Sequence, residues 1–141
     1  MENSLMSLKY HVSPTDFTRA GEGSSDVKNK LKKLGVPPEI IRKVAIAMYE
    51  GEINMVIHAN GGTITVEISH DSIRMILADT GPGIADIDKA MEKGYSTAPE
   101  EVRALGFGAG MGLPNMKKYS DYMNIETTIG VGTTVTMDVH L

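Results

Sequence analysis

At 141 residues, with 41% hydrophobic and 23% charged side chains, the chain has ordinary globular composition and enough length to bury a core as one domain, 1–141. A net charge of −4, with no basic run, gives no general electrostatic reason to bind nucleic acid or an anionic membrane directly. The absence of cysteine excludes disulfides and thiolate metal sites and fits a reducing compartment. The N-terminal run MENSLMSLKYHVSP has neither a basic start nor a continuous apolar stretch, so no signal peptide is expected. No segment approaches the roughly 20 apolar residues that span a bilayer, and a cytoplasmic domain is expected.

Leu8, Tyr10 and Val12 alternate as a short strand would. Ser13-Pro14-Thr15-Asp16 reads as a turn and helix cap. A helix is expected from Phe17 to Leu34, with a break or bend at Gly21-Glu22-Gly23-Ser24-Ser25. Gly35 ends it, and Pro37-Pro38 opens the next, where proline in a first turn is tolerated.

That next helix, 38–59, is the most informative. Ile41, Val44, Met48 and Met55 form one apolar face, and Ile46, Ile53 and Ile57 a second, nearly opposite. A helix apolar on two sides is expected to be covered on two sides. Glu50, Asn54 and His58 follow one another at i, i+4 and i+8 along the second face. A carboxylate, an amide and an imidazole beside isoleucines need partners. A magnesium ion on the Asn54 oxygen, with Glu50 as base for a water or hydroxyl, would supply them. A solvated Glu, a helix-bonded Asn and a satisfied core His describe the same residues without chemistry.

Asn60-Gly61-Gly62 closes the helix. Thr63 to Ser69 and Ile73 to Ala78 then read as a hairpin turning at His70-Asp71-Ser72. It delivers Asp79-Thr80-Gly81-Pro82-Gly83-Ile84, a carboxylate at the end of a buried strand followed by a Gly-Pro-Gly turn. An unpaired buried carboxylate costs several kcal/mol, so Asp79 wants a donor, and the glycines allow close backbone approach. A flat, amino-bearing ligand would satisfy both features. A tight turn with an exposed Asp is the plain alternative.

A short helix is expected from Ala85 to Met91, and residues 92–111, with four glycines and no period, form a candidate lid. The lid ends in Gly106-Phe107-Gly108-Ala109-Gly110-Met111-Gly112, which feeds a helix over Leu113 to Tyr119. Free backbone N–H groups there would suit a polyphosphate, though a hinge has the same composition. No G-K-[ST] ending makes it a Walker loop, and no preceding strand makes it a Rossmann turn. Asn124 to Ile129 and Thr133 to His140 complete a mostly antiparallel sheet of four or five strands.

Taken together, these signals stand in one order, and from about residue 36 onward the chain resembles the GHKL ATPase superfamily of gyrase-type topoisomerases, heat-shock chaperones, histidine kinases and mismatch-repair proteins. Glu50, Asn54 and His58 match its N box, and Asp79, Gly81 and Gly83 its first glycine box. Gly108, Gly110 and Gly112, with Met111 between, match its second, and Gly132-Thr133 its closing motif. The resemblance implies an α+β fold, a two-layer α/β sandwich of the Bergerat type with helices on one face of a mixed, mostly antiparallel sheet. It further implies ATP as ligand, with Asp79 accepting from the adenine amino group, Thr133 supporting that contact, Asn54 holding Mg2+, the second glycine box wrapping the phosphates, and Glu50 activating the nucleophile.

About 25 residues separate Gly83 from Gly108, too few for the long lids of gyrase or the chaperones. No phospho-acceptor helix hairpin stands upstream, so a whole histidine kinase is not expected. The chain looks like the compact bacterial anti-sigma factor kinases and, through its 86–97 and Gly110–Lys117 segments, more like the switch kinases of partner-switching systems. The implied activity is that of a serine/threonine protein kinase acting on a small antagonist protein. An ATP-dependent anti-sigma factor that sequesters a sigma factor, and a detached nucleotide sensor or weak ATPase, are the alternatives. The resemblance also allows a homodimer. Gly51 inside the N-box helix departs from helix preference and is read as allowing close packing. Glu52, pointing elsewhere, ranks second as base.

Overall fold

The computed structural model describes residues 4–13, 20–58, 61–84, 91 and 112–141. In chain order these form β1 (Ser4–Val12), α1 (Glu22–Lys33), α2 (Pro38–His58), β2 (Gly62–Ser69), β3 (Ser72–Ala78), α3 (Gly112–Lys118), β4 (Tyr122–Thr128) and β5 (Gly132–His140). The five strands make one sheet in the order β1-β2-β3-β5-β4, and every ladder described is antiparallel.

Strict alternation in β2, β3 and β5 sends Ile64, Val66 and Ile68, then Ile73, Met75 and Leu77, then Val135, Met137 and Val139 to one face. The helices lie on that face and add Val27 and Leu31 from α1, Ile41, Val44, Ala47, Met48 and Met55 from α2, and Leu113 and Met116 from α3. Burying each such side chain stabilises the fold by about 1.5–3 kcal/mol. The other sheet face carries Thr63, Thr65, Thr134 and Thr136. It also carries Arg74, whose guanidinium donates to both carboxylate oxygens of Asp138 across the β3–β5 ladder, at 2.7 and 2.9 Å. Among the described residues no helix is long and apolar enough to cross a membrane.

α2 is covered on two sides as expected, by α1 and by α3. Its first apolar face is buried throughout; on the second, Ile53 is buried while Ile46 and Ile57 are half-buried. Gly51 has a packing reason: a Cβ there would overlap Leu77 Cδ2 of β3 and lie 3.5 Å from Met116 Cε of α3. Glycine lets the sheet and α3 close against the middle of α2.

Gly21 to Ser25, the expected break, opens helix α1, and the 17–19 part of the expected helix lies outside the described residues. Gly21 is the N-cap of α1 at φ 98, a left-handed conformation that glycine adopts without strain, and it makes no side-chain cap. The cap comes from α2. Glu52, 4% exposed, accepts from the backbone N–H groups of Gly21 at 3.0 Å, Gly23 at 3.2 Å and Ser24 at 2.8 Å. A carboxylate at a helix N-terminus satisfies orphan donors and meets the positive end of the dipole. Tyr10 of β1 donates to Asp26 of α1 at 2.6 Å, tying the edge strand to the same helix. The expected Ser13–Asp16 cap, apart from Ser13, the 85–91 helix, apart from Met91, and the 92–111 lid lie outside the described residues.

Candidate functional site

Four elements converge on one pocket. Gly51, Asn54 and Met55 come from α2, Leu77, Asp79, Gly83 and Ile84 from the end of β3 and its turn, Thr133 and Val135 from β5, and Met116 from α3. Met55, Leu77, Ile84, Met116 and Val135 make apolar walls, and Asn54, Asp79 and Thr133 are the polar side chains along them. Pockets that orient small ligands have this composition.

Asp79 is held by the start of β5. Its backbone N–H donates to the Thr133 carbonyl at 2.9 Å, one residue beyond the Ala78–Thr134 pair of the ladder. Its Oδ1 accepts from the N–H of Gly81 at 2.9 Å and of Thr133 at 3.1 Å. Among the described residues Oδ2 has no hydrogen-bond partner, so one carboxylate oxygen fixes the side chain and the other is available to a ligand donor. This fits a base carrying an amino group.

The glycines of this turn act by close approach. Gly83, at φ 85, sits where a Cβ would come 2.8 Å from the Thr128 carbonyl oxygen. Gly132, at φ 147, sits where a Cβ would overlap the Asp79 carbonyl oxygen. The N–H of Gly130 donates to the Pro82 carbonyl at 2.9 Å, so the turn after β3 is clamped to the β4–β5 turn. Thr127 completes the clamp. Its hydroxyl accepts from the Ile84 N–H at 2.9 Å and lies 2.9 Å from the Thr133 hydroxyl. Sequence reasoning missed Thr127, because only the β4–β5 register, which pairs it with Thr133, reveals it.

On α2, Glu50 and Asn54 occupy successive turns beside the first turn of α3. A Cβ on Gly112 would lie 3.8 Å from Asn54 Oδ1 and 3.9 Å from Glu50 Oε2. Glu50 is half-buried; burial pushes its carboxyl above the ordinary glutamate range, while a hydrogen bond from the Asn115 side chain opposes the shift. Asn115 is the second residue the sequence did not single out, since its approach to Glu50 is a tertiary contact between α2 and α3.

Asn54 makes no side-chain hydrogen bond among the described residues, so its carbonyl oxygen is open to a hard cation. One neutral oxygen is not a cation cage, and no group of three or more His, Asp or Glu that could hold a metal is present among the described residues. The donor set suits Mg2+, which keeps several waters and takes most remaining ligands from phosphate oxygens. His58 ends α2, with its side chain outside the described residues, and Gly108, Gly110 and Met111 also lie outside them. Glu52, ranked second as base, faces α1 with its carboxylate committed to backbone donors, away from the pocket.

The chain folds as a two-layer sandwich with a pocket between α2 and the β3–β5 end. Residues 39–141 match the family model for histidine kinase-, DNA gyrase B- and HSP90-like ATPases, and the chain belongs to that family. It is 32% identical over 112 residues to the serine/threonine-protein kinase RsbT of Bacillus subtilis, covering 77% of this chain and 78% of that one. It is 36% identical over 108 residues to the anti-sigma F factor of Thermoanaerobacter sp., covering 73% and 72%. In fold it is similar to the RsbU and RsbW domains of Rv1364c from Mycobacterium tuberculosis, with a TM-score of 0.65 and 16% identity over 95% of this chain and 32% of that longer one. It is also similar in fold to the SiaB–SiaC complex from Pseudomonas aeruginosa, with a TM-score of 0.62 and 11% identity over 97% and 90%. The expected superfamily, sandwich fold and kinase class agree with these relatives.

Proposed function

We propose that the chain is a Mg-ATP-dependent serine/threonine protein kinase of a bacterial partner-switching system, working in the cytoplasm as one domain spanning residues 1–141. The observation that carries this reading is the placement of Glu50, a half-buried carboxylate, a turn from Asn54 beside a pocket that ends on Asp79 and Thr133. Asp79 Oδ2 accepts from the adenine amino group, and Thr133, tied to Thr127, supports that edge of the base. Gly81 and Gly83 keep the turn close, and Gly108, Gly110, Met111 and Gly112 take the phosphate-binding role that the resemblance implies for the second glycine box. Asn54 offers its oxygen to Mg2+, with His58 at the end of the same helix edge. When bound, ATP supplies the phosphoryl group and Mg2+ neutralises phosphate charge. Glu50 takes the hydroxyl proton of an incoming serine or threonine as that oxygen bonds to the γ-phosphorus and the bond to the ADP oxygen breaks. The acceptor in this reading is a small antagonist protein, a kind of partner in keeping with the anti-sigma factors among the relatives.

The test is transfer from labelled ATP to acceptors captured from cell extract. Glu50→Ala retains nucleotide binding and loses roughly 100-fold or more of the transfer rate, the usual contribution of a general base. Retained transfer overturns the assignment. Identity to anti-sigma F factors favours a second reading in which a dimer of the chain also holds a sigma factor when ATP is bound. That reading requires a sigma factor to co-purify under Mg-ATP and to be released under Mg-ADP.

A further inference from the structure

Resting on the nucleotide reading of the pocket, we propose that Thr127 is a positioning residue for base recognition: its hydroxyl donates to the Thr133 hydroxyl and leaves the Thr133 proton for a ring nitrogen beside the amino group of adenine.

Thr127 stands on β4 outside the pocket lining, and the β4–β5 register sets it opposite Thr133, which lines the pocket. A hydroxyl has one proton and two lone pairs. On Thr127 the Ile84 N–H occupies one lone pair at 2.9 Å. The Thr127 proton has two acceptors in reach, the Gly132 carbonyl at 3.4 Å and the Thr133 hydroxyl at 2.9 Å. Hydroxyl donors bond oxygen at about 2.5–3.0 Å, so the contact to Thr133 takes the proton. The Thr133 proton is then left with no acceptor among the described residues, although the residue is only 7% exposed. A buried donor without a partner is costly, and a ligand in the pocket removes that cost.

The backbone fixes where this proton is offered. The Thr133 N–H donates to Asp79 Oδ1 at 3.1 Å, and the Thr133 carbonyl accepts from the Asp79 N–H at 2.9 Å. Asp79 Oδ2 and the Thr133 hydroxyl therefore belong to residues held in one frame, an acceptor beside a donor. Adenine presents the complement, an amino donor flanked by ring-nitrogen acceptors at N1 and N7. A water bridging the hydroxyl and the ring passes on the same polarity. Guanine sets a carbonyl oxygen against Asp79 and loses the match. By donating to Thr133, Thr127 also polarises that hydroxyl and strengthens it as a donor.

The test is a cycle between chain and nucleotide, read as Mg-nucleotide affinity by calorimetry on the full chain. The nucleotides are ATP, 1-deaza-ATP and 7-deaza-ATP; both analogues keep the amino group, and each lacks one ring acceptor. Wild type binds one of the two analogues roughly fivefold more weakly than ATP, the usual worth of one neutral hydrogen bond. In Thr127→Val, which keeps the branched shape, that penalty falls to about twofold or less, whereas Thr127→Ser retains it. A purely structural role weakens ATP and both analogues by the same factor and leaves the penalty intact, and that result overturns the proposal. So does a wild type that binds both analogues as tightly as ATP, a comparison that needs no variant to fold. A folded wild type that binds no ATP overturns the nucleotide reading itself, and the role of Thr127 with it.

A readout without nucleotide is the Ile84 amide. It is protected from solvent exchange in the wild type and in Thr127→Ser and loses that protection in Thr127→Val. An Ile84 amide equally protected in Thr127→Val overturns the hydrogen-bond chain on which the proposal stands.

Discussion

Glu50 and Glu52 stand two residues apart on one helix and are treated by the fold in opposite ways. Glu52 turns towards α1, is buried, and accepts from three backbone N–H groups at the start of that helix. Glu50 turns towards the start of α3 and is half-buried, and burial pushes its carboxyl above the ordinary glutamate range. A carboxylate saturated with backbone donors is a structural clasp. A carboxylate that is desolvated and under-supplied with donors keeps its affinity for a proton, which is what acid–base chemistry requires. Identical residue types therefore take different roles through which neighbour the helix turns them to.

The comparison breaks most visibly through Glu52. Glu52→Ala orphans three N–H groups at the α1 N-terminus and is expected to lower stability by about 3 kcal/mol, with the α1 amides losing hydrogen-exchange protection first. Calorimetry and exchange measure this, and a change below about 0.5 kcal/mol would contradict the clasp. Gly51→Ala, between the two, comes next. Alanine gains up to about 1 kcal/mol of helix preference, but its Cβ overlaps Leu77, and overpacking of that kind costs typically 1–3 kcal/mol. The expected net is a loss of about 1–2 kcal/mol, and a double variant with Leu77→Ala should be less destabilised than the two singles summed.

On the pocket side, Asp79→Asn keeps an oxygen for the Gly81 and Thr133 N–H groups but puts a donor where Oδ2 is proposed to accept from the adenine amino group. ATP affinity should fall roughly tenfold, about 1.4 kcal/mol, with little change in melting temperature; an unchanged affinity removes Asp79 from base recognition. The smallest effect is in pH. Burial holds the Glu50 pKa in the folded state above its unfolded value, so the native state binds that proton more tightly. Its contribution to stability is present at low pH and is lost as pH rises through the folded value. Glu50→Gln should flatten that part of the stability–pH curve, and an identical curve in the variant would show that the carboxyl is not desolvated.

Much of this was legible locally. The period-2 alternation of 63–69 and 73–78, the Pro37-Pro38 entry to α2 and the Gly61-Gly62 exit are short-range signals, and they located the elements to within a residue or two. The fourfold spacing of Glu50 and Asn54 placed both beside the first turn of α3 because a helix edge is fixed by its own period. Tertiary partners were not legible. The Gly21–Ser25 run reads as a helix break, since its cap comes from Glu52, 28 to 31 residues away. Thr127 reads as an ordinary strand residue until the β4–β5 register sets it against Thr133. Asn115 carries no pattern of its own, because its partner lies on another helix.

The central claim is that Glu50 serves chemistry and Glu52 serves the fold. It is tested most directly by phosphoryl transfer from ATP in Glu50→Ala and Glu52→Gln, assayed at a temperature where both are fully folded and saturated with nucleotide. The account predicts that Glu50→Ala loses roughly 100-fold or more, whereas Glu52→Gln transfers within a few-fold of wild type despite a lower melting temperature. Full transfer by Glu50→Ala, with transfer lost in folded Glu52→Gln, would exchange the two roles and contradict the account.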